Sequence, residues 1–452
     1  MGKRISVLGL GKSGFSAAKL LIDLGAFVFV SDGQYNHILE SRADILRNLG
    51  ASVELGKHTE TLYRLADEIV VSPGVPMDIE ILEQAANLRP SLPIIPEIEL
   101  GFRVSKGKII GITGSNGKST TVTLIGEILK AAGKDNNVVG NIGTPFCDVA
   151  LSATSNTIHC IELSSFQLER IVDFRPFVAC MLNLSADHLN RHSNEFNYFA
   201  AKERIFMNQV ASDYSILSMD DAKVAMLAVK VLGRVMLFGR HDLNVTGCFV
   251  RNGVITMKNL KGKTIELIPC EQMGIPGPHN VSNACAAVAC TIPFDIPEEA
   301  IRKALRGFKG LKHRLEKVGE SKNVVFINDS KATNIDSLKV ALESFKNNII
   351  LIAGGSDKGA DFSDLTELVA KKVKHAILIG VTAEIIEKAW GRKIPIDRED
   401  SLSHAVKKAS KLAHSGDIVL LSPGCASYDM FDNYEQRGEM FTQEVIKIIA
   451  HE

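Results

Sequence analysis

Short apolar runs recur along the chain, each closing in glycine or a polar cluster and each followed by helical spacing. Arg4-Ile5-Ser6-Val7-Leu8 runs into Gly9-Leu10-Gly11-Lys12-Ser13-Gly14 and then a helical Phe15 to Leu24. Phe27-Val28-Phe29-Val30 ends at Ser31-Asp32, and Glu68-Ile69-Val70-Val71 ends at Ser72-Pro73-Gly74-Val75-Pro76. Apolar runs this short, bounded by turn residues, read as buried strands. Their alternation with helical stretches predicts parallel sheets and an α/β fold. Pro90, Pro93 and Pro96 mark the end of a first unit, taken as residues 1–95.

The same pattern fills a second unit, residues 96–310. Lys108-Ile109-Ile110 leads into Gly111 to Thr120 and then a helical Val122 to Leu129. Thr157 to Ile161 delivers Glu162 into Leu163-Ser164-Ser165-Phe166-Gln167-Leu168, and Phe177 to Leu182 delivers Asn183 to Leu189. Apolar strands with polar ends are expected where the carboxyl ends of parallel strands line a ligand crevice. A turn-rich segment from Phe238 to Cys270 predicts an antiparallel excursion, and a helix is expected after Gly277-Pro278-His279-Asn280. A third unit, residues 311–452, repeats the alternation with strands Val324–Ile327, Ile349–Ala353, His375–Ile379 and Ile418–Leu421. These end at Asp329, Gly354, Gly380 and Pro423.

Composition narrows the class. At 452 residues the chain needs two to four domains, and 45% hydrophobic with 23% charged residues gives them substantial cores. Lysine plus arginine balances aspartate plus glutamate, 52 against 52, so net charge argues for neither a nucleic-acid nor a membrane surface. The eight cysteines include no CxxC pair and read as thiols of a reducing compartment. With no apolar run long enough to span a membrane and no signal-like N-terminus, a cytoplasmic location is expected.

The chemistry concentrates in Gly111-Ile112-Thr113-Gly114-Ser115-Asn116-Gly117-Lys118-Ser119-Thr120. Strand, glycine-rich loop, Lys-Ser/Thr and helix make a phosphate cradle. Glycines let backbone N–H groups approach phosphates, the lysine reaches the β- and γ-phosphates, and the hydroxyl ligates Mg²⁺. Ile112 stands where the usual spelling has its first glycine. Glu162, at a neighbouring strand end, offers the oxygen that Mg²⁺ prefers, and His188 is a second candidate ligand. The complete G-x-G-x-x-G at Gly9 to Gly14, with Asp32 ending the next strand, is the spelling of a dinucleotide site and taken alone suggests NAD.

Thr113 to Thr120, Gly140-Asn141-Ile142-Gly143, Glu162 to Leu168, Asp187-His188-Leu189, His313-Arg314-Leu315-Glu316 and Asn328-Asp329-Ser330-Lys331-Ala332-Thr333-Asn334 resemble the Mur ligases of peptidoglycan synthesis, in order and over essentially the whole chain. Gly9 to Gly14 and the stretch Ser422 to Gly438 resemble the D-glutamate-adding branch of that family. The resemblance implies a Rossmann-like N-terminal domain, a P-loop ATPase central domain and a Rossmann-like C-terminal domain. It implies ATP-dependent ligation of D-glutamate to UDP-N-acetylmuramoyl-L-alanine through an acyl phosphate, by a monomer with two Mg²⁺ ions. The G-x-G-x-x-G would then hold a UDP pyrophosphate, which meets a helix N-terminus as NAD does.

Residue by residue, the resemblance gives Gly114, Ser115, Asn116, Gly117, Lys118, Ser119, Thr120, Asn280, Arg314 and Asp329 to ATP, with Arg314 at the phosphates and Asp329 at the ribose. It gives Gly11, Lys12, Ser13, Asp32, Ser72, Gly74 and Asn141 to the UDP-substrate, and Lys331, Thr333, Lys358, Ser427 and Tyr434 to D-glutamate. Lys118, His188 and Lys202 are the catalytic set. The metal ligands are Ser119, Glu162, His188 and Lys202, the last as a carbamate. Gln34 and Tyr434 depart from some relatives, which carry arginine and phenylalanine there. The competing expectations are another amide ligase of the same superfamily, such as a folylpolyglutamate synthase-like enzyme, and an NAD-binding P-loop regulator.

Overall fold

The computed structural model describes residues 2–76, 78–185, 189–192, 194–346, 348–357 and 360–450. The chain forms two compact units, Met1–Met273 with Asn280–Phe308, and Gly274–His279 with Lys309–Glu452. Among the described residues there are three sheets, two of them in the first unit and one in the second. Among the described residues, no helix is long and apolar enough to cross a membrane.

The first sheet contains β1 (Arg4–Leu8), β2 (Phe27–Asp32), β3 (Ser52–Leu55), β4 (Glu68–Val71) and β5 (Ile94–Pro96), in the order β3-β2-β1-β4-β5. All its pairings are parallel. Strand order reverses between β1 and β4, so the loops after these two strands lie side by side at the carboxyl edge, where a crevice opens. Helix α1 (Lys12–Asp23) starts directly after Gly11 and buries Ala17, Ala18, Leu20 and Leu21 against the sheet.

The second sheet contains β6 (Lys108–Thr113), β7 (Asn136–Gly140), β8 (Ile158–Glu162), β9 (Val178–Met181), β10 (Tyr214–Ser218), β11 (Arg234–Gly239), β12 (Gly247–Arg251), β13 (Val254–Lys258) and β14 (Thr264–Pro269). Its order is β14-β13-β12-β11-β10-β9-β6-β8-β7. The antiparallel excursion is present as β12-β13-β14, but it begins at Gly247, and Phe238 belongs to the parallel strand β11. The central strands β6, β8 and β9 are buried from end to end except at Lys108, as fully covered parallel strands should be. Helix α2 (Lys118–Ala131) follows β6. Short helices α3 (Ser165–Leu168) and α4 (Leu189–His192) follow the ends of β8 and β9, with α5 (Glu195–Glu203) after them. The expected helix after Gly277 is α6 (Pro278–Thr291).

Buried acids tie the first two sheets together within their unit. Glu99, fully buried, accepts backbone N–H bonds from Val172, Asp173 and Phe174 at 2.9, 3.0 and 2.9 Å. Glu97 accepts from the Cys147 N–H at 2.9 Å, and burial raises its carboxyl to about 6. Three backbone donors satisfy the Glu99 carboxylate, which would otherwise be costly to desolvate.

The third sheet contains β15 (Glu316–Ser321), β16 (Val324–Asn328), β17 (Ile349–Ala353), β18 (Val373–Leu378), β19 (Ile396–Arg398) and β20 (Ile418–Leu421). Its order is β15-β16-β20-β17-β18-β19, and only the β15–β16 pair is antiparallel. The loops after β16, β20 and β17 therefore meet at one carboxyl edge. Helix α7 (Tyr434–Ala450) packs Phe441 and Val445 into the core on one face.

Candidate active site

The glycine-rich loop leaves β6 at Thr113 and enters α2 at Lys118. Gly117 is the residue that turns it: its φ is +84°, and a Cβ there would stand 2.3 Å from Asn283 Oδ1. Only glycine meets both conditions at low cost. Asn183, from the end of β9, pins the loop from below. Its carbonyl accepts the Ser115 N–H at 3.0 Å, its Oδ1 accepts the Asn116 N–H at 2.8 Å, and its Nδ2 donates to the Asn116 carbonyl at 3.1 Å. The Ser115 and Asn116 N–H groups thus point into the protein, although both residues are expected at ATP. The helix start at Gly117 to Thr120 is left as the anion-facing part of the loop.

Two ammonium groups converge on this loop. Lys118 Nζ donates to the Gly114 and Ser115 carbonyls at 2.9 and 2.8 Å. Lys202 Nζ, 2% exposed, donates to the same Gly114 carbonyl at 2.8 Å. Helix α5 delivers Lys202 together with Tyr198, one turn earlier on the same face. The Tyr198 ring lies 4.8 Å from the Lys202 nitrogen, and its hydroxyl donates to Ser115 Oγ at 3.2 Å. Both side-chain nitrogens thus meet at one carbonyl beside a helix N-terminus, where an anion is stabilised.

Glu162 ends β8, which pairs with β6 so that Glu162 lies opposite Ile112. Its carboxylate is buried and accepts from Asn141 Nδ2 at 3.0 Å. Asn141, expected at the UDP-substrate, is therefore joined to the candidate metal carboxylate. Ser119 and Thr120 are each 2% exposed at the start of α2. Hydroxyl and carboxylate oxygens at adjacent strand ends form the donor set that suits Mg²⁺. His188 lies outside the described residues. Its near neighbour His192 is buried, with Nε2 2.9 Å from Ser165 Oγ, and burial lowers its pKa against the pull of Glu169, with smaller help from Arg191 and Lys202. Asn280 is also buried, and its Oδ1 accepts from Asn283 Nδ2 at 3.4 Å.

At the first sheet's crevice, Asp32 does not wait for a ribose. Its Oδ2 accepts the Leu10 N–H at 2.7 Å and its Oδ1 the Gln34 N–H at 2.9 Å, so the carboxylate shapes the glycine loop itself. Ser72 is buried and donates to the Gly9 carbonyl at 3.1 Å, while Gly11, Lys12 and Gly74 are exposed on the same rim and Ser13 is half-buried. Gly14 is needed for close approach, since a Cβ there would fall 1.8 Å from the Gly9 carbonyl oxygen.

In the second unit Asp329 accepts the Leu315 N–H at 3.1 Å and the Ser422 hydroxyl at 2.8 Å. Burial raises this carboxyl to about 7 against the pull of the Ser422 bond and the Arg314 charge. Among the described residues, the buried Arg314 Nε has no hydrogen-bond partner, so this N–H is short of an acceptor. Lys331 lies with its nitrogen 5.3 Å from the Tyr434 ring, bringing two of the residues expected at D-glutamate together. Ser427 is 2% exposed, Thr333 is half-buried, and Lys358 lies outside the described residues.

Arg437 organises this edge and has no role in the sequence reading. Fully buried, it donates from Nε to Ser330 Oγ at 2.9 Å and from Nη2 to the Ser330 and Cys425 carbonyls at 2.7 and 3.1 Å. It thereby fastens the loop carrying Lys331 and Thr333 to the loop carrying Ser427. Burial lowers its pKa to about 10, so it remains charged at neutral pH. The sequence signal was its place in the quoted Ser422–Gly438 stretch. Tyr198 likewise had one, the four-residue spacing to Lys202, whereas Asn183 had only its position at a strand end.

Comparison with known proteins covers the same ground. Family models match at residues 3–91 (Mur ligase MurD-like, N-terminal domain), 112–291 (Mur ligase middle domain) and 313–425 (Mur ligase, glutamate ligase domain). The chain is 44% identical over 451 residues to a UDP-N-acetylmuramoylalanine--D-glutamate ligase of Koribacter versatilis, covering 100% of this chain and 99% of that one. It is 41% identical to the protein of the same name from Caldicellulosiruptor saccharolyticus, with 98% of each chain covered. Among solved structures it is similar to a pseudomurein peptide ligase type C from Methanothermus fervidus, with a TM-score of 0.62, 21% identity and 99% and 100% coverage. It is also similar to the UDP-N-acetylmuramate-alanine ligase of Thermotoga maritima, with a TM-score of 0.62, 18% identity and the same coverage. At these identities the solved structures speak to the fold.

Proposed function

This chain belongs to the Mur ligase family, and we propose that it is the ATP-dependent ligase that adds D-glutamate to UDP-N-acetylmuramoyl-L-alanine in peptidoglycan precursor synthesis. The observation that carries this is end-to-end identity above 40% with relatives of that named activity. The competing NAD reading of Gly9 to Gly14 draws no support from Asp32, whose oxygens are engaged by backbone N–H groups of its own domain.

The reaction asks for placement and charge neutralisation more than for a protein nucleophile. A carboxylate oxygen of the UDP-substrate attacks the γ-phosphorus of ATP and ADP leaves, giving an acyl phosphate. The D-glutamate amine then attacks the acyl carbon, loses a proton, and phosphate departs as the amide forms. Lys118 is poised to turn from the Gly114 and Ser115 carbonyls to the transferring phosphoryl group, supplying positive charge where negative charge builds. Mg²⁺ ions would be held by Ser119 and Glu162, and by His188 with Lys202 as a carbamate, and would screen the phosphate oxygens. Asn141 orients the Glu162 carboxylate. Asn280, Arg314 and Asp329 would hold the nucleotide, with the unsatisfied Arg314 Nε suited to an anionic acceptor.

Lys331, Thr333, Lys358, Ser427 and Tyr434 would hold D-glutamate, the cations facing its carboxylates. Gly11, Lys12, Ser13, Asp32, Ser72 and Gly74 would surround the UDP end. The working boundaries remain 1–95, 96–310 and 311–452, in a cytoplasmic monomer. The test is a panel of amino acids with UDP-N-acetylmuramoyl-L-alanine and ATP, reading phosphate release. Release confined to D-glutamate supports the function, and release with another amino acid reassigns the chain within the family. Calorimetry should show binding of the UDP-substrate and none of NAD at similar concentration, and the reverse would sink the first-domain assignment.

A further inference from the structure

We infer that Arg191 is a positioning residue that sets the register between the loop after β4 and the end of β8, and so holds the UDP-substrate for the reaction at Glu162. The inference rests on the proposed role of the Ser72–Pro76 loop as part of the UDP-substrate site. Arg191 lies on α4, 116 residues from Val75 in sequence, yet its Nη2 donates to the Val75 carbonyl at 3.2 Å. The same nitrogen donates to Glu169 Oε2 at 3.1 Å, and the guanidinium carbon stands 4.5 Å from the Phe166 ring centre. The guanidinium is 16% exposed and Glu169 20%, so the ion pair is sheltered from screening.

Each end of this link leads to one of the candidate sites. On the first-sheet side, the Val75 N–H donates to the Ser72 carbonyl at 3.0 Å, closing the turn. Val75 Cγ2 rests 2.7 Å from where a Cβ on Gly9 would stand, and Ser72 Oγ donates to the Gly9 carbonyl at 3.1 Å. The turn that Arg191 grips therefore props the first glycine of the anion loop. On the other side, Glu169 and Phe166 belong to α3 and its end, which follow Glu162 by a few residues. Glu169 Oε2 accepts from Arg191, and His192 Nε2 lies 2.9 Å from Ser165 Oγ, so α3 is fastened to α4 at two points. Ser72, Val75, Phe166 and Arg191 line one small pocket beside this link. A planar fork that binds a carbonyl and a carboxylate while lying on an aromatic ring is a role that lysine cannot copy.

The test uses the full chain, with steady-state kinetics in each of the three substrates and calorimetric binding of UDP-N-acetylmuramoyl-L-alanine. Arg191→Ala should raise the KM for the UDP-substrate by about tenfold while the ATP and D-glutamate KM values stay within about twofold. Arg191→Lys, which keeps the charge and the bulk of the stem, should show the same selective rise in milder form. A UDP-substrate KM unchanged in both variants overturns the inference, and so does a uniform rise in all three KM values, which would mark a purely structural role. Failure of the wild-type protein to bind the UDP-substrate would instead overturn the assignment of the loop on which the inference rests.

Discussion

Replacing Gly117 by alanine separates two costs that the structure assigns to one position. The first is conformational: φ of +84° places the residue in left-handed space, which costs a non-glycine residue about 1–2 kcal/mol. The second is contact, because the new Cβ would meet Asn283 Oδ1 at 2.3 Å and that side chain must move. Asn283 then loses its long bonds to Thr121 Oγ1 and Asn280 Oδ1, both 3.4 Å, for about another 1 kcal/mol. The total destabilisation should be about 2–3 kcal/mol, read by denaturant unfolding. The functional cost should be larger than stability implies, since a loop moved by a fraction of an ångström misaims the helix start toward the γ-phosphate. A rise of at least about tenfold in the ATP KM is expected. Gly133 is the control: its φ is +68° and nothing lies within 4 Å of its Cβ position. Gly133→Ala should carry the conformational cost alone and leave the ATP KM unchanged. If the two variants have the same ATP KM, the cradle is not where the loop geometry puts it.

Lys118→Ala should lower turnover by about 10² to 10³-fold with an unchanged unfolding midpoint, and near-normal turnover would remove the phosphate role of its ammonium. Asp329 predicts a pH dependence of stability. Its folded carboxyl keeps its proton up to about 7, while the unfolded one releases it near 3.8, so between these values the native state binds more protons. Stability from this group is therefore lost as pH rises from about 4 to about 7, by at most about 4 kcal/mol. Asp329→Asn should flatten that slope in denaturant titrations at several pH values, and parallel slopes for variant and wild type would contradict the burial argument. Lys202→Ala should lose most activity and regain part of it with a small carboxylic acid in excess, because the acid occupies the vacated anion site. Lys202→Arg keeps the charge but cannot form a carbamate, so an active arginine variant would show that only a cation is needed there.

What the sequence made legible follows the physics of burial. Strands β1, β4, β16, β17 and β20 read clearly because both faces are covered, which leaves apolar runs with abrupt polar ends. Of the strands without such a signal, β3, β7, β15 and β19 each end a sheet, where one side meets solvent and selection for apolar residues lapses. β15, Glu316–Ser321, is the extreme case, with no fully buried residue. β10 was hidden differently: Tyr214–Ser218 is buried throughout, but its serines break the apolar run, and Ser215 is satisfied by Gln209 Oε1 at 2.7 Å.

The candidate site divides along the same line. Residues whose chemistry depends on local backbone, Gly114 to Thr120, announce themselves by spacing, because the loop is made of consecutive positions. Residues that hold those positions in place do not. Asn183 reaches Asn116 across 67 positions, Arg437 reaches Ser330 across 107, and Arg191 reaches Val75 across 116. A long-range hydrogen bond leaves no periodicity, and an asparagine or arginine at one end of it looks like any polar residue at a strand end or on a helix. Each of these side chains fixes a loop that carries expected ligand-binding residues without being one of them. A single sequence can therefore name groups that touch substrate while staying silent about those that aim them, because the first are written in local spacing and the second only in the closed fold.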